Sequence, residues 1–320
     1  MYGPKVDQVR RLDWGPMPGA DAIPFACPVC ASTQARWAAE HRDLRVARCK
    51  ECGHGYIWPV PDAGFLDGIY RNLAYYQGSE GSIGFRDYAS LEPARKRMFA
   101  RHLMKIEAEV GPGRILDVGC ATGDFLKVAR GRGWTVLGAD PSVARTQVEA
   151  DGIALVGTTV HDAEIEPGSL DAVTFWDVLE HVTDPVADLT RACTLLRPGG
   201  VLALTVPDSA NLVAQMSGRR WFGYKTAGEH LQFFTAASLS MALRSAGLSV
   251  RTRRPTTWAC TVGFLADRAG LYLGPPGRML RAGLSRLKLT AVVVDVPHIN
   301  QFALAIAVPM TSRVTQEARP

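Results

Sequence analysis

The sequence lacks an uninterrupted apolar run of about 18 to 20 residues, the length that a membrane-spanning helix needs. Its first residues also lack the apolar core of a signal peptide, so a cytoplasmic protein is expected. Lysine and arginine form no long block, and the formal net charge is only +5 for 320 residues. Nucleic-acid binding is therefore not the first expectation. With 47% hydrophobic and 21% charged residues, the chain has an ordinary globular composition.

Four of the seven cysteines form two pairs with the spacing of a zinc ribbon. Cys27 and Cys30 lie in CPVC, Cys49 and Cys52 lie in CKEC, and 18 residues separate the pairs. Four thiolates complete a tetrahedron, which predicts a structural Zn²⁺ with neighbouring His54 as a bystander. Two surface turns with free or disulfide-bonded thiols are the alternative. The remaining cysteines are predicted to be small core residues: Cys120, Cys193 and Cys260.

Three regions are predicted along the chain. Residues 1–61 form a lead-in and the ribbon, residues 62–110 a helical connector or cap, and residues 111–310 a larger domain with an insert at about 256–299. From Arg114 onward, strand and helix patterns alternate, which predicts an α/β fold with a doubly wound parallel sheet. The predicted strands are RILDVG, TVLGAD, LDAVTFWDV, GGVLALTVP, LSVRTRRP and NQFALAIAVP.

The stretch DVGCATG, between the first of these strands and its helix, is a glycine-rich turn. Gly119 and Gly123 allow a sharp reversal with no Cβ between the backbone and a ligand. The spacing departs from the G-x-G-x-x-G of dinucleotide sites, and Asp117 would repel a pyrophosphate but suit a cation. Asp140, at the end of the next strand, is placed to accept hydrogen bonds from a ribose. A cationic ribose-bearing cofactor without phosphates is S-adenosylmethionine.

Five motifs in order carry a family resemblance from about Gly113 to Val308: ILDVGCATG, VLGADPS, SLDAVTFWDVLEHVTDP, LLRPGGVLALTVPD and GEHLQFFTAASL. They resemble class I S-adenosylmethionine-dependent methyltransferases, and the chain looks like a bacterial subfamily of the type 11/23 kind with an N-terminal zinc ribbon. The resemblance implies a Rossmann-like, seven-stranded methyltransferase sheet. Ala121 stands where the family usually has the middle glycine of its turn.

The resemblance also implies which residues hold the cofactor. Those expected around the methionine half are Asp117, Gly119, Ala121 and Gly123. Asp140, Pro141 and Ser142 are expected around the ribose. Asp162 is expected at the adenine, and Trp176 and Asp177 are expected at the border between the cofactor and the acceptor. Asp162 has an alternative as a plain turn carboxylate, and Trp176 has one as a wall of the site.

Methyl transfer is an in-line displacement that needs no metal but does need a base when the acceptor is a hydroxyl. Two histidines are candidates, His181 in LEHVTDP and His230 in GEHLQFF. His230 is favoured, with Glu229 orienting it. In the alternative, Glu229 and His230 tie the loop to the sheet, and Glu180 caps the adjoining helix.

The acceptor is expected to be a small molecule methylated on oxygen or, less favoured, on carbon. The resemblance suggests a sugar, a glycan precursor or a secondary metabolite. The insert is apolar with interspersed basic residues, which favours packing or a homodimer face over a lid or a peripheral membrane contact. Two other functions stay open, a non-catalytic cofactor-binding scaffold and an RNA- or protein-modifying methyltransferase. In the latter, the ribbon would bind the polymer through Arg36, Trp37, Arg42, Arg45 and Arg48.

Overall fold

The computed structural model of the protein describes most of the chain after the lead-in. The described residues are 26–41, 44–61, 92–142, 144–221, 223–224, 227–273 and 275–308. The predicted lead-in, and the connector up to residue 91, lie outside them. Within the described residues, no helix has both the length and the apolarity to cross a bilayer.

The ribbon region forms a small antiparallel sheet. Its own strands are β1 (Ala35–His41), β2 (Leu44–Cys49) and β3 (Gly55–Ile57), paired in that order. A fourth strand, β9 (Gln232–Phe233), comes from much later in the chain and pairs antiparallel with β3. The ribbon is therefore built into the larger region by main-chain hydrogen bonds.

A seven-stranded sheet forms the centre of the larger region. Its strands are β4 (Arg114–Val118), β5 (Thr135–Ala139), β6 (Ala154–Gly157), β7 (Leu170–Trp176), β8 (Leu196–Pro207), β10 (Leu248–Thr261) and β11 (Val293–Ala307). Their spatial order is β10-β11-β8-β7-β4-β5-β6. The predicted seven-stranded α/β sheet is confirmed, with the difference that β11 runs antiparallel to both neighbours.

Eight helices are described: α1 (Glu92–Glu107), α2 (Asp124–Arg130), α3 (Arg145–Ala150), α4 (Pro185–Leu195), α5 (Leu212–Ser217), α6 (Ala236–Ser245), α7 (Val262–Leu273) and α8 (Pro275–Arg286). The start of α6 is set by a capping box between Thr235 and Ser238. The start of α4 is set by Asp184, whose side chain accepts from the Ala187 amide at 2.9 Å. A carboxylate other than Glu180 therefore caps this helix, and the alternative that placed Glu180 there is wrong.

The strands differ from the sequence prediction in three respects, since one strand was missed and two predicted strands have other bounds. β6 was not predicted, because its four residues carry no clear alternation. β10 continues past Pro255 to Thr261, and β11 begins at Val293 rather than at Asn300. A register shift between Pro255 and Thr257 lets the pairing resume after the proline, which has no N–H to donate. The predicted insert is thus partly strand, and α7 and α8 occupy its middle.

The two faces of the central sheet are covered by different elements. On one face, α1 and α2 contribute Leu103, Ile106 and Phe125 to a buried cluster. On the other face, α4 and α6 contribute Leu189 and Leu239 to a second cluster. That second cluster continues without a break into the ribbon, where it includes the following residues: Cys27, Val29, Cys49, Cys52 and Tyr56. The ribbon and the central sheet therefore share one core on this face.

Candidate active site

The glycine-rich turn lies at the carboxyl end of β4, where the parallel strands end together. β4 pairs with β5 and with β7, which places Asp117 opposite Gly138 and Thr174. The backbone φ angle is positive at Gly119 (71°), Ala121 (45°) and Gly123 (73°). The tight, left-handed turn predicted from the glycines is therefore present, and Ala121 adopts a conformation that glycine takes more easily.

A second constraint on the turn is its contact with the loop that follows β7. A Cβ added to Gly119 would lie only 2.4 Å from Cγ2 of Val178. Glycine is therefore required at position 119 both by its φ angle and by the space available. Because Val178 packs over this turn, the residues that follow Val178 lie close to the cofactor corner, the expected cofactor site formed by Asp117, the turn from Gly119 to Gly123, and Asp140.

Asp140 joins the turn to the end of β5. The Ala121 amide donates to Asp140 Oδ2 at 2.7 Å, and the Ser142 amide donates to Asp140 Oδ1 at 2.8 Å. The Ser142 hydroxyl donates to the same Oδ1. A carboxylate has about four acceptor positions, so about one remains on Asp140 for a ligand. A ribose that uses both hydroxyls would therefore compete with the Ser142 hydroxyl.

Asp117 is buried, with 2% of its surface exposed. The Thr174 hydroxyl donates to Asp117 Oδ1 at 2.6 Å. Burial raises the pKa of Asp117 to about 8; the charge of Asp140 adds to this rise and the Thr174 hydrogen bond opposes it. Without a cation, this carboxyl is therefore mostly protonated at neutral pH. A positively charged ligand would favour the ionised form.

The remaining residues of the predicted cofactor set lie around the same edge of the sheet. Trp176 stacks on His102 with 4.9 Å between ring centroids, and it packs edge-on against Phe125 at 5.1 Å. Asp177 has a φ angle of 55°, and its Oδ1 accepts from Asn300 Nδ2 at 2.5 Å. Pro141 is exposed directly after Asp140.

Asp162 is an exposed carboxylate that closes its own turn. Its two oxygens accept hydrogen bonds from the amides and hydroxyls of Thr158 and Thr159, at 2.6 to 3.0 Å. These contacts fit the plain turn role, and contact with adenine stays a prediction.

The two candidate histidines lie side by side although they are distant in the chain. The rings of His181 and His230 meet edge to face, with 4.8 Å between centroids. His181 Nδ1 bonds to the carbonyl oxygen of Glu229 at 2.7 Å. A carbonyl only accepts, so Nδ1 carries the proton and the neutral ring has its lone pair on Nε2. The His181 amide also bonds to the Val178 carbonyl at 2.9 Å, which fixes the pair beside the glycine turn.

Both imidazoles are held neutral. Burial lowers the pKa of His181 to about 4, although its hydrogen bond to Glu229 acts in the opposite direction. Burial lowers the pKa of His230 well below its ordinary value, and a proton on His181 would lower it further. Both rings are therefore neutral throughout the physiological pH range, and each keeps one unprotonated ring nitrogen. The expected orientation of His230 by the Glu229 carboxylate stays a prediction.

Glu180 completes this group, and sequence reasoning missed it as a site residue. It is 1% exposed, and its Oε2 has no hydrogen-bond partner among the described residues. Burial and the charge of Asp177 raise the pKa of Glu180 well above its ordinary value. The one available signal was a glutamate inside the apolar context of VLEHV. Ligand atoms of Glu180, His181 and His230 lie within 4.8 Å of one another, a donor set that suits a divalent cation.

The four paired cysteines form a second potential metal site. Sγ of Cys27 lies 3.6 Å from that of Cys52, and Sγ of Cys30 lies 3.6 Å from that of Cys49. A tetrahedron with Zn–S bonds of about 2.3 Å separates its sulfurs by about 3.8 Å, whereas a disulfide needs about 2.05 Å. The geometry therefore fits a four-thiolate Zn²⁺ and excludes the disulfide alternative. As predicted, the other three cysteines are buried.

One basic residue of the ribbon faces the larger region rather than solvent. Arg48 Nη1 donates to the Gly53 carbonyl at 2.9 Å, and Nη2 donates to the Tyr224 hydroxyl at 3.0 Å. Arg45 lies over the ring of Trp37, 5.9 Å from its centroid. These contacts take Arg48 out of the basic face that polymer binding would use. Arg42 lies outside the described residues.

Comparisons with known proteins agree with this fold. Residues 87–253 match the family described as Methyltransferase domain. A ubiquinone biosynthesis O-methyltransferase of Aeromonas salmonicida is 34% identical over 202 residues, which cover 59% of this chain and 75% of that protein. One from Cereibacter sphaeroides is 30% identical over 172 residues, covering 48% and 68% respectively.

Among solved structures, the complex between the Haloferax volcanii Trm112 methyltransferase activator and a methyltransferase contains a similar chain. It has a TM-score of 0.52 and 16% identity, and it covers 75% of this chain and 99% of that one. At this identity, the likeness shows the fold alone. Taken with the family match, the glycine turn and the strand order place the chain among the class I S-adenosylmethionine-dependent methyltransferases.

We expect Gly119→Ala and Ala121→Gly to have opposite effects. The first forces a Cβ against Val178 and strains a positive φ angle, so it should lower the free energy of unfolding by about 2 kcal/mol. The second relaxes a left-handed alanine and should leave stability within about 1 kcal/mol of the wild type, on the stable side. Urea unfolding of both variants measures this, and equal destabilisation by the two would contradict it.

Binding of S-adenosylmethionine should release a proton from Asp117. Because the unliganded pKa is about 8 and a cation lowers it, the affinity should rise from about pH 6 to about pH 7, by up to about tenfold. The affinity should stop rising with pH above the pKa of Asp117 in the unliganded protein. Calorimetry in two buffers of different protonation enthalpy detects the proton, and Asp117→Asn should abolish the difference. Identical heats in both buffers for the wild type would refute the assignment.

Proposed function

We propose that this methyltransferase transfers the methyl group of S-adenosylmethionine to a hydroxyl group of a small molecule. The observation that carries the proposal is the convergence of His181, His230 and Glu180 beside the Gly119 turn. The relatives named ubiquinone biosynthesis O-methyltransferases support oxygen as the acceptor atom. Sugars, glycan precursors and secondary metabolites remain the acceptor classes that we propose.

The cofactor supplies an electrophilic methyl group on a sulfonium, and the strand ends supply its binding site. We propose that Asp117 and the turn from Gly119 to Gly123 hold the methionine half, since a buried carboxyl with a raised pKa gains most from a cation. Asp140, with Pro141 and Ser142, would hold the ribose. Asp162 is proposed for the adenine, and Trp176 with Asp177 for the border between the cofactor and the acceptor.

His230 is the proposed general base, with His181 as the second candidate. A neutral imidazole accepts the proton of the acceptor hydroxyl as the methyl group moves in line. The carbonyl of Glu229 fixes the ring of His181, and the edge of one ring meets the face of the other. When ionised, Glu180 would stabilise the imidazolium that forms, because it is buried against the pair.

Binding a divalent cation is a second role that the side chains of Glu180, His181 and His230 support. A carboxylate and two imidazoles could bind a cation that lowers the pKa of the acceptor hydroxyl directly. Turnover measured with and without added Mg²⁺ or Mn²⁺, at constant zinc, separates the two roles. Equal turnover would exclude the metal role.

We also propose that the four-cysteine cluster binds one structural Zn²⁺ in a reducing, cytoplasmic setting. The purified protein should contain about one zinc ion per chain, because four thiolates at tetrahedral spacing leave no open position. Cys49→Ser should lose the metal and unfold at lower denaturant concentration. Cys193→Ala is the matched control and should keep the metal. Full zinc content in a Cys49→Ser, Cys52→Ser double variant would contradict the proposal.

Removing the proposed base should slow turnover without weakening cofactor binding. We expect His230→Ala to lower kcat about 10² to 10⁴-fold, and His181→Ala to have a smaller effect. The dissociation constant of S-adenosylmethionine should stay within about twofold, since Asp117 and Asp140 are untouched. Radiolabelled methyl transfer on acceptor pools, with calorimetry in parallel, tests this. Full turnover in both variants on a true acceptor would overturn the assignment of the base.

A further inference from the structure

The strand that follows the proposed base also completes the ribbon sheet. β9 pairs with β3, with Gly55 opposite Phe233 and Tyr56 opposite Gln232. The Ile57 amide adds a hydrogen bond to the Leu231 carbonyl at 2.9 Å. His230 therefore lies one residue before a segment whose backbone is held by the ribbon.

The side chain of Gln232 forms a junction between the ribbon and the loop of His181. Gln232 is 4% exposed, and its Nε2 donates to the carbonyls of Val182 at 2.9 Å and Thr183 at 3.2 Å. The amide oxygen therefore faces His54, whose Nε2 lies 2.9 Å away and must donate to it. His54 is completely buried.

His54 is in turn fixed by the cysteine knuckle, the turn at residues 49–54 that contains Cys49 and Cys52. It follows Cys52 by two residues, and its carbonyl accepts from the Cys49 amide at 2.8 Å. The carbonyl of Gly53 accepts from Arg48, which also holds Tyr224. Among the described residues, the side chains of His54 and Arg48 thus link the knuckle to the larger region.

Residues 229–232, which include His230, also hold the loop that contains Glu180 and His181. The amides of Leu231 and Gln232 donate to the single carbonyl oxygen of Glu180, at 2.7 and 2.9 Å. Glu229 accepts from the ring of His181. The cofactor corner, by contrast, is built by β4 and β5. A shift of residues 229–232 would therefore disturb the histidine pair while leaving Asp117 and Asp140 in place.

We propose that the ribbon aligns the catalytic pair, with His54 and Gln232 as positioning residues that transmit the geometry of the cysteine knuckle to His181 and His230. This proposal rests on the function proposed above for that pair. The metal would hold Cys49 and Cys52 in the geometry from which His54 reaches Gln232. Metal loading is then expected to govern turnover but not cofactor binding.

Four variants of the full-length, zinc-loaded protein test the chain of contacts. Gln232→Met and His54→Leu remove the hydrogen bond, His54→Gln keeps an N–H donor at similar reach, and Glu51→Gln alters an exposed knuckle residue as the control. Hydrogen exchange of the Leu231 and Gln232 amides, the dissociation constant of S-adenosylmethionine, and kcat with KM for the acceptor are measured for each.

Gln232→Met and His54→Leu should speed exchange at these two amides about tenfold and lower kcat by a similar factor, while cofactor affinity stays within about twofold. His54→Gln should restore most of the slow amide exchange and most of kcat, and Glu51→Gln should match the wild type in both measurements. Removing zinc from the wild type with a chelator should reproduce the Gln232→Met exchange pattern, reversed by adding zinc. Retained cofactor binding shows that the variants fold.

Unchanged exchange at Leu231 and Gln232 in the two disruptive variants would overturn the proposal, as would loss of cofactor binding in parallel with turnover. The exchange measurement does not depend on activity. A different outcome is faster exchange in the Gln232→Met and His54→Leu variants together with full turnover in the His181→Ala and His230→Ala variants. That outcome would overturn the assignment of the base but would leave the alignment of residues 229–232 by the ribbon standing.

Discussion

Parallel pairing of β4 with β5 on one side and β7 on the other is the constraint on which the whole site depends. It places the carboxyl ends of these three strands at one edge of the sheet, so that Asp117, Asp140 and Asp177 all lie there. The turn after β4 is short and left-handed, which lets the loop after β7 pack on it through Val178. Cofactor corner and histidine pair are therefore neighbours by construction.

The electrostatics of this edge are poised for a positively charged ligand. Asp117 and Glu180 are both buried, and burial raises the pKa of each. The two imidazoles beside Glu180 are shifted in the opposite direction, toward the neutral form. Asp117, Glu180 and the two imidazoles are thus all shifted toward their neutral forms, and a cation would favour the ionised form of the two acids.

Features with local signals were predictable from the sequence, whereas features created by pairing between distant segments were not. The glycine turn and the cysteine pairs are encoded in runs of a few residues, and both were predicted. His181 and His230 were each recognised as candidates, but their contact depends on long-range hydrogen bonds, from the Leu231 and Gln232 amides to the Glu180 carbonyl and from the His181 ring to the Glu229 carbonyl. The length of β10 and β11 escaped prediction because it is set by cross-strand pairing beyond a proline.

The two-residue strand β9 has a consequence for how the chain can be divided. Among the described strands, β9 pairs with β3 alone, so if the larger region were produced without the ribbon, Gln232 and Phe233 would lose their strand partner and the main-chain groups that now face β3 would be exposed. The apolar surface now shared with Cys27, Val29 and Tyr56 would face water at the same place. A truncated enzyme would therefore expose unpaired main-chain groups and apolar core surface at the same place, so the larger region needs the ribbon to cover this part of its core.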